Sequence, residues 1–136
     1  MPTISKFEEI EAWKTARQLT NLVYKLSSRE NFADDFGLKD QIRRAAVSVM
    51  SNIAEGFESQ TQAQFIRYLS VARASAGEVR SQLYVAFDQS YISREQFDHA
   101  YDLADKALRQ LVRFVAYLES HPQARRVRED GADYIF

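Results

Sequence analysis

Residues 93–118 read SREQFDHAYDLADKALRQLVRFVAYL, and their spacing settles the architecture. The apolar positions, Phe97, Tyr101, Ala104, Leu108, Leu111, Val115 and Leu118, are separated by steps of four and three through three heptads. Residues at those steps share one face of an α-helix, and a sustained four-three repeat is the packing pattern of left-handed helix bundles. Ser93 with Gln96 three residues on matches a capping box, so the helix opens there.

Three further runs lie upstream. The one before it carries Phe65, Leu69, Ala72, Ala76, Val79, Leu83 and Ala86, with Ser59 or Thr61 as N-cap. Before that come Leu38, Ile42, Ala45, Val49 and Ile53, ending at Gly56, where a glycine just past a helix end accepts a left-handed backbone. The first run carries Ala12, Ala16, Leu19, Val23 and Leu26, widened by Ile10, Trp13 and Leu22. The intervening SSRENFADDFG reads as a polar turn. No segment alternates with period two, so no strand is predicted. The only prolines, Pro2 and Pro122, bracket this interior. Four helices joined by short connections predict an all-α, antiparallel up-down-up-down four-helix bundle over residues 1–120. Residues 121–136 form a separate tail whose charges cancel (Arg125, Arg126 and Arg128 against Glu129, Asp130 and Asp133). That tail is either flexible or, through Tyr134 and Phe136, docks on a partner.

The chain has 136 residues, 46% of them hydrophobic and 27% charged, which is the composition of one globular domain. Its formal net charge of −1 is unlike that of proteins that hold nucleic acid by bulk charge. The absence of Cys excludes disulfides, thiol catalysis and Cys-ligated metals. The start, MPTISKFEEIEAWK, lacks the basic end and apolar run of a signal peptide, and no stretch reaches the roughly 18 apolar residues of a membrane span. A cytoplasmic protein without membrane contact is expected.

Charge is uneven. Residues 39–80 hold six basic groups (Lys39, Arg43, Arg44, Arg67, Arg73, Arg80) against four acidic ones (Asp40, Glu55, Glu58, Glu78), whereas residues 81–119 hold four basic against six acidic. Arginine suits two-pronged recognition of phosphate or carboxylate. The arginines therefore either bind a nucleic acid or partner, with Tyr68 beside Arg67 offering a stacking surface, or pair with Glu55, Glu58 and Glu78 within the bundle or between subunits. Polar residues also flank the core stripes: Gln41, Ser48, Asn52 and Glu55 on the second long helix, Ser75, Glu78 and Gln82 on the third. A buried carboxylate at Glu78 would need a cation, and Arg43 or Arg44 are available. Three readings stand: a polar network that sets helix register, an oligomer interface, or a catalytic pocket built on Glu55 and Glu78.

The catalytic inventory is thin. The two histidines, His99 and His121, fall on a polar helix face and beside the tail proline. No glycine-rich phosphate loop occurs. A bundle di-iron site needs paired Glu-x-x-His motifs, and the nearest match, Glu95 with His99, has the wrong spacing and a single copy. No catalytic residue, metal ligand or cofactor is assigned.

The second long helix reads FGLKDQIRRAAVSVMSNIAEGFES and the third continues FIRYLSVARASAGEVRSQL. With FEEIEAWKTA near the start, these blocks resemble the four-helix-bundle family named after the 23S rRNA intervening-sequence proteins of bacteria, over residues 7 to 118. A related bundle is the accessory protein of diversity-generating retroelements, which assembles with a reverse transcriptase and RNA. The resemblance implies an antiparallel bundle, self-assembly with a ring-shaped homopentamer favoured, and RNA or another protein as partner, without an established activity. The motif positions carried over are Gln41, Arg43, Arg44, Ser48, Asn52, Glu55, Gly56, Ser75 and Glu78. Departures are Ala74-Ser75 where Gly-Ser is frequent, Val49-Met50 in place of Ile-Pro, and the added tail.

Overall fold

A computed structural model describes residues 3–122 and 134–135. The four predicted runs are four long helices: α1 (Glu11–Ser27), α3 (Phe36–Glu58), α4 (Gln62–Asp88) and α5 (Arg94–Ser120). A short α2 (Glu30–Asp34) sits between the first two, and a 3-10 turn at Phe7–Glu9 precedes α1. Each long helix packs on the next, and α5 closes against α1.

Cross-helix contacts give the direction of each neighbour. Thr20 and Ser27 of α1 bond to Ala46 and Arg43 of α3, Ser48 of α3 meets Ser75 of α4, and Gln62 and Arg80 of α4 bond to Leu118 and Tyr101 of α5. Where two contacts join a pair, one index rises as the other falls. With short connections between successive helices, neighbours are antiparallel.

Local chemistry sets the helix ends. The Asp35 carboxylate accepts from the Leu38 N–H and caps α3. Thr61 with Gln64 and Ser93 with Gln96 form capping boxes at the starts of α4 and α5. Of the two N-caps predicted for α4, Thr61 is the one used; Ser59 instead caps the C-terminus of α3.

The core stripes follow the predicted four-three steps. Val49, Ile53, Phe57, Phe65, Leu69, Ala72, Ala76, Leu111 and Leu118 fill one half of the bundle. Leu19, Val23, Ile42, Val79, Leu83, Phe97, Ala100 and Ala104 fill the other. Tyr101, Leu108 and Val115, predicted on the α5 stripe, are only half-buried.

Three expectations need correction. Gly56 does not end its helix: α3 runs on to Glu58, and Gly56 is buried inside it. A Cβ there would lie 2.8 Å from Tyr68 Cβ and 2.9 Å from Phe65 Cδ1, so the glycine serves close helix approach. The stretch read as a polar turn contains α2, whose Phe32 is buried and stacks on Tyr91 with ring centroids 5.4 Å apart. One buried apolar residue in a five-residue helix leaves no periodic trace. Finally, Thr3–Ile4 pairs antiparallel with Tyr134–Ile135, a two-residue ladder too short to show alternation. Most of the segment expected to be a flexible or partner-docking tail, residues 123–133 and 136, lies outside the described residues.

Candidate functional site

The predicted polar flanks of α3 and α4 meet in one seam. Ser48 Oγ and Ser75 Oγ share a hydrogen bond of 2.8 Å, and Asn52 Nδ2 donates to Ser48 O at 2.8 Å and to Ser48 Oγ at 2.9 Å. Small side chains make this contact possible, because two serines let the helices approach while their hydroxyls satisfy each other. Ser75 is buried, and Ser48 and Asn52 are half-buried.

On its outer side the seam opens into a groove of about 480 Å³ lined by Gln41, Arg44, Ala45, Ser48, Ser75, Glu78 and Gln82. A second depression of about 250 Å³, lined by Asn52, Gln64, Arg67, Tyr68 and Val71, continues along it. Asn52 sits where the two meet, since it belongs to the second and bonds to Ser48 of the first. The sequence-predicted residues Gln41, Arg44, Ser48, Asn52, Arg67, Tyr68, Ser75 and Glu78 thus share one surface. Gln64 and Val71 are additions that the sequence reading does not single out. Val71 lies four residues before Ser75, and that spacing alone places it on the same stripe.

Arg44 and Arg67 line that surface, whereas Arg43, Arg73 and Arg80 do not. Arg43 turns to α1: its Nε donates to Ser27 Oγ at 2.8 Å, its Nη2 to Ser28 Oγ at 3.0 Å, and its guanidinium lies 4.4 Å from the Tyr24 ring centroid. Arg80 turns the other way, to α5, where Nη2 donates to Tyr101 Oη at 2.7 Å. That hydrogen bond holds the Arg80 guanidinium above its ordinary pKa. Arg44 is exposed and pairs with Asp40 at 2.9 Å on its own helix. Arg67 and Arg73 are exposed. The expected basic cluster of Arg43, Arg44, Arg67, Arg73 and Arg80 is therefore split: Arg43 faces α1, Arg80 faces α5, and of the five only Arg44 and Arg67 line the groove.

The carboxylates also depart from expectation. Glu55, Glu58 and Glu78 are all exposed, so Glu78 does not need Arg43 or Arg44 as a buried counter-ion. From the Ser48–Ser75 bond, Glu55 lies seven residues toward the α3 C-terminus, and Glu78 lies three residues the opposite way along the antiparallel α4. At 1.5 Å rise per residue this separates them by about 15 Å along the bundle. They form no shared cleft and cannot serve as a catalytic pair.

Among the described residues, no three His, Asp or Glu side chains cluster as a metal-binding set. None of the described helices is long and apolar enough to cross a membrane. The groove offers hydroxyls, amides and well-separated charges. These are suited to recognising another surface and poorly suited to moving a proton or activating a nucleophile.

No curated protein matches this chain. One solved structure that it resembles is a protein of unknown function from the S23 ribosomal protein family of Bacteroides thetaiotaomicron, at 24% identity and a TM-score of 0.71, covering 77% of this chain and 95% of that one. This likeness shows the bundle fold. A family model described as 23S rRNA-intervening sequence protein matches residues 8–113, which include α1, α3, α4 and most of α5, together with the whole groove. The chain belongs to the 23S rRNA-intervening sequence protein family.

Proposed function

We propose that this protein is a non-enzymatic interaction module that self-assembles, with the α3–α4 groove as its contact surface. One observation carries this: the groove gathers the family-motif residues Gln41, Arg44, Ser48, Asn52, Ser75 and Glu78 on a surface without converging catalytic groups. A half-buried polar seam with the exposed Val71 in its lining has the mixed character of a protein–protein contact. The ring-shaped homopentamer expected from the resemblance belongs to this reading.

Light scattering on the full chain across micromolar concentrations tests it. A mass several times that of the chain is the expected result, and five times for the ring; a monomer throughout overturns self-assembly.

A second reading, an RNA- or DNA-binding accessory protein, is favoured by one feature. Arg67 and Tyr68 share a depression with Asn52 and Gln64, where a base could stack while its phosphate meets the guanidinium. The division of the other arginines weakens it. Filter binding with single-stranded RNA decides: retention that falls steeply with salt supports it, and no retention at low salt removes it.

A further inference from the structure

Helix α1 carries a concave surface of its own, away from the α3–α4 seam. Trp13, the chain's only tryptophan, belongs by spacing to the core stripe, yet it is only half-buried. Phe7 of the 3-10 turn packs edge-on against it, with ring centroids 5.2 Å apart, and fixes the indole at the start of the helix. Lys14, Arg17, Gln18 and Asn21 follow at steps of three and four, so they stand on one face of α1. With Trp13 and Glu8 they line a depression of about 440 Å³, within the roughly 300–1,000 Å³ of small-molecule sites. Among the described residues, Arg17, Arg43, Arg80 and Arg94 lie over aromatic rings. Arg43 also donates to Ser27 and Ser28, Arg80 to Tyr101 and Arg94 to Asp98. Arg17, 5.9 Å from the Trp13 centroid, donates to no described residue, and the side-chain amides of Gln18 and Asn21 have no described partner either.

We infer that this depression binds a nucleoside phosphate, with the base against Trp13 and the phosphate on Arg17 and Lys14. The site lies outside the α3–α4 groove and stands independently of both readings above. Its lining selects this chemistry. The indole offers a flat π surface on which any base stacks. Arg17 has its whole donor fork open, the planar arrangement that meets two phosphate oxygens at once. Lys14 adds a second positive charge, because its exposed pair with Glu11 is worth little and readily exchanged. Gln18 and Asn21 supply donors and acceptors, and Glu8 supplies acceptors alone, which suits base edges and ribose hydroxyls. A wholly apolar ligand would strip water from these five polar residues and pair none of them. A bare inorganic anion would leave the indole unused. The same unit comes as a free mononucleotide or as one nucleotide of a single strand.

Trp13 fluorescence reads the site directly, because the chain has no other tryptophan. Titrating the full chain with adenosine monophosphate is expected to quench it saturably, with half-saturation at about 1 mM or below. Adenosine and inorganic phosphate, each making part of the contacts, should bind about tenfold or more weakly. Arg17→Ala should weaken adenosine monophosphate about tenfold or more. It should melt like the parent chain, since Arg17 is exposed. Arg67→Ala, in the depression on α4, should leave the titration unchanged. A short oligoadenylate separates the two sources. Tighter binding by the oligonucleotide, falling with salt, assigns the site to a single strand, and equal or weaker binding assigns it to the free nucleotide. No saturable quenching by the mononucleotide up to about 10 mM and by the oligonucleotide up to about 1 mM overturns the proposal. So does adenosine binding as tightly as its monophosphate, or Arg17→Ala binding like the parent chain. Loss of binding in Arg67→Ala alone also overturns it, because the ligand then sits on α4.

Discussion

Helix α4 has two seams, and they are built from opposite chemistry. Toward α5 it meets rings: Tyr84 and Phe97 have centroids 4.9 Å apart, Phe87 and Phe97 5.3 Å, and Phe97 and Tyr101 5.4 Å. The Arg80 and Arg94 guanidinium groups lie over this cluster, 5.0 Å from Tyr101 and 5.8 Å from Phe87. Toward α3 it meets serines, an asparagine and a glycine. Large rings exclude water and bring most of their stabilisation from within the chain. The serine seam excludes less, and it leaves polar groups at a groove. The aromatic seam holds the bundle closed, and the polar seam is the one suited to contact another molecule.

The sharpest way to break this contrast is at Phe97, which is 6% exposed. Phe97→Ala should cost about 3–5 kcal/mol in urea unfolding, the range for emptying a buried aromatic site. A loss under about 1 kcal/mol would show that the ring cluster does not hold the bundle closed. Next in size is Gly56→Ala, which drives a methyl group against Tyr68 and Phe65. It should cost about 1–3 kcal/mol by overpacking. A neutral result would mean that α3 and α4 separate easily there, against the close approach described.

Asn52→Ala removes two hydrogen bonds to Ser48 from the polar seam. It should lower stability by about 0.5–1.5 kcal/mol, less than Phe97→Ala, and an equal or larger loss would reverse the ranking of the two seams. The smallest effect lies outside both. The Glu9 carboxylate accepts hydrogen bonds first from the Ser5 backbone N–H and then from its hydroxyl, which holds its pKa below the ordinary carboxylate value. A depressed folded-state pKa contributes stability above the ordinary value and loses it as pH falls through the folded one. Amide exchange at Ser5 and Lys6 should therefore lose protection on acidification through that range while α4 and α5 stay protected. Unchanged protection at Ser5 would show that the carboxylate does not hold this turn.

Much of the fold was legible in the sequence because helical periodicity is a local property. The α5 stripe, the Ser93 capping box and the Thr61 option each involve residues a few positions apart, and each has its physical counterpart. The polar seam was legible in part: Ser48, Asn52 and Ser75 flank core positions, and a polar residue there must find a partner. The side of the bundle on which each arginine lies was not. Arg43 and Arg44 are adjacent in sequence, and a helix turns about 100° per residue, so neighbours point to different surroundings. Whether Arg43 would find Ser27, Ser28 and the Tyr24 ring depended on where α1 lay. Phe32 was invisible for a similar reason, because it packs on Tyr91, far along the chain.

Spacing and capping within single segments were enough to say which stretches coil and which face of each turns inward, since both depend on steps of three and four and on side chains that reach a nearby backbone. Three other features came only with the assembled bundle. Gly56 is a point of close contact instead of an end, Arg43 and Arg80 turn away from the groove that Arg44 and Arg67 line, and the polar flanks of α3 and α4 meet at Ser48 and Ser75. Those outcomes depend on which helix becomes the neighbour of which, and at what height, and no interval inside one helix encodes that.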